Sequence, residues 1–331
     1  MSYYRPLVQH GENRPEGALS LISGALWFTE VEVLDRGAPP RIMPAGLLAD
    51  DVRHRLTARR ATIAGLDMTQ PQVMGILNVT PDSFSDGGQH DDISVACDAA
   101  LQMVKDGASI IDVGGESTRP GASVVPEEEE IRRTAPVIAA IRGKSQVPIS
   151  IDTRKAVVLA EALDAGASLT NDVSGFTFDP ALAPLTAQAG VPACIMHAQG
   201  DPTTMQDDPQ YDNVLLDVYD FLKTQIDRLE DTGLVREQIV VDPGIGFGKT
   251  LQHNLTLLRN LSLFHGLGCP ILLGVSRKGF IGKLGHEPNA AARAPGSIAV
   301  GLAGLAQGVQ FLRVHDVAET AQAVRLWQAV R

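Results

Sequence analysis

From residue 71 onward the chain repeats one unit: a short apolar run, a loop rich in Gly, Asp, Ser and Thr, then an amphipathic segment. The apolar runs are VMGILNV (73–79), SIIDVGG (109–115), PISID (148–152), SLTNDV (168–173), PACIMH (192–197), IVVDPG (239–244), PILLGVS (270–276) and QFLRVH (310–315). Their hydrophobicity is continuous rather than alternating, which suits parallel strands buried on both faces. Eight strands separated by helical segments predict an α/β fold, a (β/α)₈ TIM barrel over 71–331 preceded by an N-terminal extension over 1–70. A doubly wound open sheet competes on periodicity alone. The strand ends favour the barrel. Asn78, Asp112, Asp152, Asn171, His197, Asp242, Lys278 and His315 all fall at or just past the C-terminal ends of the runs. A closed barrel gathers such ends on one face, where active sites of this architecture lie, whereas an open sheet spreads them along an edge.

Helix signals fill the gaps. Pro126 followed by four glutamates marks a helix start. Asp164-Ala165-Gly166 and Ala189-Gly190 mark helix ends. Over 213–235 an apolar stripe of Val214, Val218, Phe221, Leu222, Ile226 and Leu229 is interrupted only by Gln225. The first 70 residues stand outside the repeat. ALWFTEVEVL (25–34) reads as a strand in its second half, Asp35-Arg36-Gly37 as a turn, and 47–60 as helical. An extension packed on the barrel is expected rather than an independent domain.

Composition enters through charge. A formal net charge of −11 argues against nucleic-acid binding, which depends on a dense basic surface. No apolar run is long enough to span a bilayer, and the N-terminus shows no secretory pattern. Cys97, Cys194 and Cys269 are widely spaced and form no zinc pattern, so a reduced, cytoplasmic protein is expected. In so acidic a chain, an anionic substrate requires cations concentrated at one place.

The loops after the strands supply that concentration. NVTPDSFSDGG (78–88) places Asn78 at the barrel mouth; standing alone it reads equally as an Asx/Pro turn. GGESTRPGA (114–122) sets Thr118 and Arg119 between Gly and Pro, which suits a guanidinium delivered to an oxyanion, although a lone loop arginine is more often solvated. Asp152, Asn171 and Asp242 offer acceptors where their strands leave the core; singly each reads as a helix cap, together as a site for a guanine-like edge. GVSRKGFIG (274–282) adds Ser276 and Lys278, and RVHD (313–316) adds Arg313 and His315. His10, His54, His90, His253, His265 and His286 take a structural reading, while His197 either lines the site or packs beneath it. Gly248-Lys249-Thr250 looks like the end of a P-loop, but Pro243 stands where the opening glycine is required. That run reads instead as a loop in which Gly lets Phe247 project.

Taken together these runs resemble the dihydropteroate synthases, in order and spacing, from about Val73 to the C-terminus. The resemblance implies condensation of a dihydropterin diphosphate with p-aminobenzoate, releasing pyrophosphate by an SN1-like route. It implies Mg²⁺ held by the diphosphate and Asn78, with Arg119, Arg313 and His315 gripping the diphosphate and Lys278 joining these residues in catalysis. Asp152, Asn171, Asp242 and Lys278 would hold the pterin with Met196 along its ring. Thr118, Pro120, Phe247 and Ser276 would border the p-aminobenzoate pocket, where sulfonamides compete in this family. The Gly/Pro-rich loops at 80–92 and 116–125 are expected to close over both substrates. A homodimer is implied as well. Ala198 and Gly279 depart from the larger residues frequent in relatives. The rival readings are a pterin-binding methyltransferase barrel, which needs neither the Thr118-Arg119-Pro120 loop nor the Arg313/His315 pair, and a non-catalytic paralogue, which would be expected to lose charged ligands.

Overall fold

The computed structural model describes residues 2–79, 89–117, 124–200, 205 and 207–331. The chain begins with β1 (Ser2–Pro6), β2 (Leu19–Ser20), β3 (Trp27–Phe28), β4 (Glu30–Asp35), β5 (Arg41–Pro44) and α1 (Asp50–Thr57). The strand and turn expected within 25–37 are β4 and the bend after Asp35; the helix is shorter than the 47–60 read from sequence. Strand β1 was not anticipated. It pairs antiparallel with β4, which pairs with β5. Leu21, Phe28, Val31, Val33, Val52 and Leu56 give this region a small core of its own.

Eight parallel strands follow: β6 (Gln72–Asn78), β7 (Ile110–Gly114), β8 (Ile149–Asp152), β9 (Leu169–Asp172), β10 (Ala193–Met196), β11 (Ile239–Asp242), β12 (Leu272–Leu273) and β13 (Phe311–Val314). They pair in the order β11-β10-β9-β8-β7-β6-β13-β12. The two outer strands meet: Val241 bridges Ile271 and its N–H donates to Pro270 O at 2.9 Å. The sheet therefore closes into a (β/α)₈ barrel, and the open doubly wound alternative is excluded. The helices between are α2 (Gln89–Asp106), α3 (Glu127–Arg142), α4 (Ala156–Asp164), α5 (Leu182–Ala189), α6 (Val214–Asp231), α7 (Leu251–Arg259), α8 (Gly279–Leu284), α9 (Ala294–Leu305) and α10 (Val317–Val330).

Local chemistry explains the boundaries. Pro126 precedes α3, whose first turn holds Glu127 to Glu130. Asn213 caps α6 by accepting from Leu216 N at 3.2 Å. Gly190, in the left-handed region, ends α5.

Along each barrel strand, alternate positions face the helices or the barrel axis. Ile111, Val113, Ile149, Ile151, Ile195 and Val241 belong to the large core between sheet and helices. Met74, Ile110, Leu169, Cys194, Val240, Leu272 and Phe311 form a separate cluster at the N-terminal floor. Ile63 and Met68, from the segment leading into β6, are fully buried in that same cluster and plug the floor from below.

Several polar contacts join the first region to the barrel, among them those of Arg36, which donates to Asp217 and Asp220 of α6 at 2.8 and 2.7 Å. The Tyr3 hydroxyl donates to Asp220 of α6 at 2.8 Å, Ser262 Oγ donates to Pro6 O at 3.0 Å, and Arg60 donates to His265 O at 3.1 Å. Arg60 also donates to Arg55 O at 2.7 Å, so this buried cation serves carbonyls near the ends of α1 and of the 3-10 turn Leu261–Leu267.

Candidate active site

Two residues above the apolar floor, the inward positions turn polar. Asp112 on β7 and Asp152 on β8 stand on adjacent strands, with Asn171 next along on β9. Arg313 of β13 reaches across and donates from Nε to Asp112 and from a terminal nitrogen to Asp152, each at 2.6 Å. Asn171 Nδ2 donates to Asp112 Oδ2 at 3.2 Å. Arg313, expected to grip a diphosphate with His315, ties together two carboxylates, the anions nearest to its guanidinium. A buried carboxylate pair requires such a cation.

On the far side, Asp242 ends β11 beside Met196, its register partner on β10. Gly244 N donates to Asp242 Oδ1 at 2.7 Å, which fixes the carboxylate. Lys278 precedes α8 and donates to Ile245 O, with its ammonium 4.7 Å from the centroid of the Phe247 ring. Arg277, just before it, holds a left-handed φ of 59° and pairs with Asp316, so the neighbouring cation is directed away from the centre. Ser276 Oγ lies 2.9 Å from His315 Nδ1 and accepts from His315 N at 3.1 Å. Between these groups the strands carry glycine. A methyl group at Gly114 would sit 3.7 Å from Asp152 Oδ2 and 3.8 Å from Asn78 Oδ1; one at Gly274 would sit 3.7 Å from Asp242 Oδ2. Small residues at these inward positions leave room for a flat ligand between the carboxylates.

Burial shapes the titration of this ring. It pushes Asp152 up to about 7, against the pull of Arg313, with Asp112 adding repulsion. Burial also raises Asp242, opposed chiefly by Lys278. Lys278 itself is lowered by burial to about 8, with Asp242 resisting the change. Arg313 stays firmly cationic because two carboxylates outweigh its desolvation.

A family model described as "Pterin binding enzyme" matches residues 74–315. A dihydropteroate synthase of Escherichia coli (strain K12) is 47% identical over 264 residues, covering 80% of this chain and 93% of the relative. The chain belongs to the dihydropteroate synthase family. The Yersinia pestis dihydropteroate synthase, solved with a sulfonamide drug, superposes with a TM-score of 0.77 at 44% identity over 82% of this chain and 99% of that one. The Xanthomonas albilineans dihydropteroate synthase, solved with 7,8-dihydropteroate, gives 0.73 at 39% identity over 80% and 95%.

Set out as a dihydropteroate synthase site, the sequence-assigned residues fall into three groups. Asp152, Asn171 and Arg313 are joined through Asp112, a strand-end residue to which sequence reasoning gave no role. Asp242, Lys278, Phe247 and Met196 share the opposite wall, and Ser276 and His315 form a pair. Asn78 faces the gap left by Gly114. Thr118, Arg119 and Pro120 lie outside the described residues, as do 80–88 of the first loop.

The described flanks of the second loop are anchored by a buried charge network that sequence reasoning also missed. Glu116 accepts from Val125 N at 2.8 Å and from Arg154 Nε at 3.1 Å. Lys155 donates to Val125 O and to Glu130 Oε2, each at 2.6 Å, and Thr153 Oγ1 donates to Glu130 Oε1 at 2.7 Å. His197 proves to pack beneath the site, its ring edge-on to Phe221 at 4.9 Å and its Nδ1 2.8 Å from Lys249 Nζ.

Proposed function

We propose that the protein condenses 6-hydroxymethyl-7,8-dihydropterin diphosphate with p-aminobenzoate to give 7,8-dihydropteroate and pyrophosphate. The observation that carries this reading is the ring of Asp152, Asn171 and Asp242 around inward glycines, with Lys278 on its rim. A pterin presents an exocyclic amino group beside a ring N–H, and a carboxylate accepts both. Leaving buried acceptors unpaired is costly, so the ring discriminates against ligands lacking those donors. Lys278 supplies a proton donor for a pterin acceptor from its place over the Phe247 ring.

The bond that breaks joins the exocyclic methylene to the diphosphate oxygen, and its electron pair leaves with the diphosphate. The methylene cation left behind is conjugated with the pterin ring. The neutral anilinic nitrogen of p-aminobenzoate then forms the new C–N bond, and its surplus proton passes to water. Arg119, Arg313 and His315 are assigned to stabilise the growing negative charge of the leaving group. In this role Arg313 exchanges part of its bonding from Asp152 to the diphosphate as the pterin's own donors take over that carboxylate. Phe247 and Ser276, with Thr118 and Pro120, form the p-aminobenzoate side.

Among the described residues no group of three or more His, Cys, Asp or Glu side chains could hold a metal ion. Asn78 presents its Oδ1 beside the glycine position 114, and one such neutral oxygen donor fits an ion that arrives on the diphosphate and keeps much of its water. Mg²⁺ so bound would neutralise diphosphate charge. The proposed setting is the cytoplasm, with the chain as a homodimer and residues 1–70 as an extension packed on the barrel. Three free and buried cysteines fit a reducing compartment, and among the described residues no helix is long and apolar enough to cross a membrane.

Pyrophosphate release from purified protein tests the reading. Release should require both substrates and Mg²⁺, and should fall at least about 100-fold in Asp242→Asn, whose amide can no longer accept both pterin protons. Folded protein that binds the dihydropterin and releases no pyrophosphate would overturn it.

A further inference from the structure

We infer that Lys249, with His197 as its fixed acceptor, is a positioning residue for p-aminobenzoate: it holds the 243–250 loop in the shape that sets Phe247 against Lys278. The inference rests on the reaction proposed above and extends it to a residue outside the binding ring.

Lys249 is 3% exposed, and among the described residues its hydrogen bonds go to carbonyls and an imidazole rather than to a carboxylate. Its ammonium donates to Gly244 O and Phe247 O at 2.9 Å and to His197 O at 3.2 Å, and lies 2.8 Å from His197 Nδ1. Three carbonyls from two segments thus converge on one point. An ammonium on a thin stem meets them; a planar guanidinium does not, and an apolar filler would leave the carbonyls unpaired. Burial, with Lys249 beside it, lowers the His197 imidazole to about 2, so the ring is neutral; burial lowers Lys249 as well, and opposite its ammonium, which only donates, Nδ1 is the acceptor.

The rest of the loop is built around this point. Gly244 and Gly248 hold φ of 67° and 61°, and a methyl group on either would overlap the carbonyl oxygen of His197 or Gln199. Asn254 accepts from Gly246 N at 2.7 Å, and the Tyr211 hydroxyl donates to Gly248 O at 2.7 Å. Phe247, whose own carbonyl binds Lys249, carries the ring that faces Lys278. Asp242 belongs to β11, and its backbone is held by the ladder to β10 as well as its carboxylate by Gly244 N. Loss of Lys249 should therefore displace Phe247 more than the pterin carboxylate.

The test compares Lys249→Met with Thr250→Ala, which removes the side-chain cap of α7 and leaves the ammonium in place. Four quantities are measured on the full chain: KM for p-aminobenzoate, kcat, Kd for the dihydropterin diphosphate without p-aminobenzoate, and Tm. Wild-type turnover, measured first, tests the reaction itself, so a missing reaction is not confused with an idle Lys249. Lys249→Met should raise KM for p-aminobenzoate by about 10- to 100-fold while the pterin Kd changes much less. Thr250→Ala should lower Tm and leave KM unchanged. An unchanged KM in folded Lys249→Met overturns the inference, as does an equal rise in KM and pterin Kd, or an equal rise in KM in Thr250→Ala. Should Lys249→Met fail to fold, His197→Asn and His197→Leu decide. Asparagine keeps an acceptor near the place of Nδ1 and should raise KM less than leucine; equal effects overturn the inference.

Discussion

Arg313 spends its fork on two carboxylates that belong to adjacent strands, and Asp112 is the one shared with Asn171. Asp112→Asn keeps one acceptor oxygen but turns the other into an N–H donor and removes a charge that balances Arg313. Asp112→Asn should therefore destabilise the fold by about 3 kcal/mol, read as a lower denaturant midpoint, and weaken pterin binding. The pH dependence follows from the neighbouring groups. A carboxylate accepts pterin protons only when ionised, and Asp152 is pushed up to about 7, so kcat/KM should rise as pH passes upward through that region. An ammonium donates only when protonated, and Lys278 is lowered to about 8, so kcat/KM should fall above it. The expected profile is a narrow bell, and Lys278→Met should abolish its alkaline limb along with most of the activity. A basic limb of unchanged position in that variant would remove Lys278 from the assignment.

The loop after β11 shows how an element can be legible in type yet not in form. Its glycines identify a tight, exposed-looking turn, but two of them face backbone of the β10 loop rather than solvent. Gly248→Ala would add both left-handed strain and overlap with Gln199, and should lower stability by roughly 1–3 kcal/mol in thermal unfolding. The stems of the loop at 116–125 are the parallel case. Glu116, Glu130, Arg154 and Lys155 form a neutral buried quartet linking the chain before α3 to the start of α4. No pattern in sequence separates the buried Glu130 from its solvated neighbours, because the distinction depends on where Lys155 and Thr153 arrive.

Across the whole molecule the barrel is stratified. Its floor is apolar and plugged by Ile63 and Met68, its mouth polar and ringed by charge. Met68→Ala should cost about 2–4 kcal/mol through the cavity it leaves, with kcat of the folded enzyme unchanged because the floor and the ring are separate layers. A chain starting near Pro71 would lose both plugging side chains as well as the Tyr3 and Arg60 contacts. It is expected to unfold at lower temperature, and any folded fraction should turn over at the full rate. Lost turnover in a folded truncation would instead give residues 1–70 a catalytic part.

What the amino-acid order determined by itself is the barrel and the face that works. Hydrophobic runs of strand length followed by helical periods admit few architectures, and polar residues at strand ends are tolerated only where the strands leave the core. The helix limits at Pro126, Asn213 and Gly190 are likewise local, since they depend on backbone groups within a turn. Tertiary structure decided who meets whom. Asp112 and Arg313 are 201 residues apart along the chain, and Lys249 and His197 are 52 apart. Asp112 and Arg313 stand on strands separated only by β6, and Lys249 meets His197 between the loops after the adjacent strands β11 and β10, so strand order and register bring each pair together. Burial then sets each charge against whichever partner the closed barrel supplies.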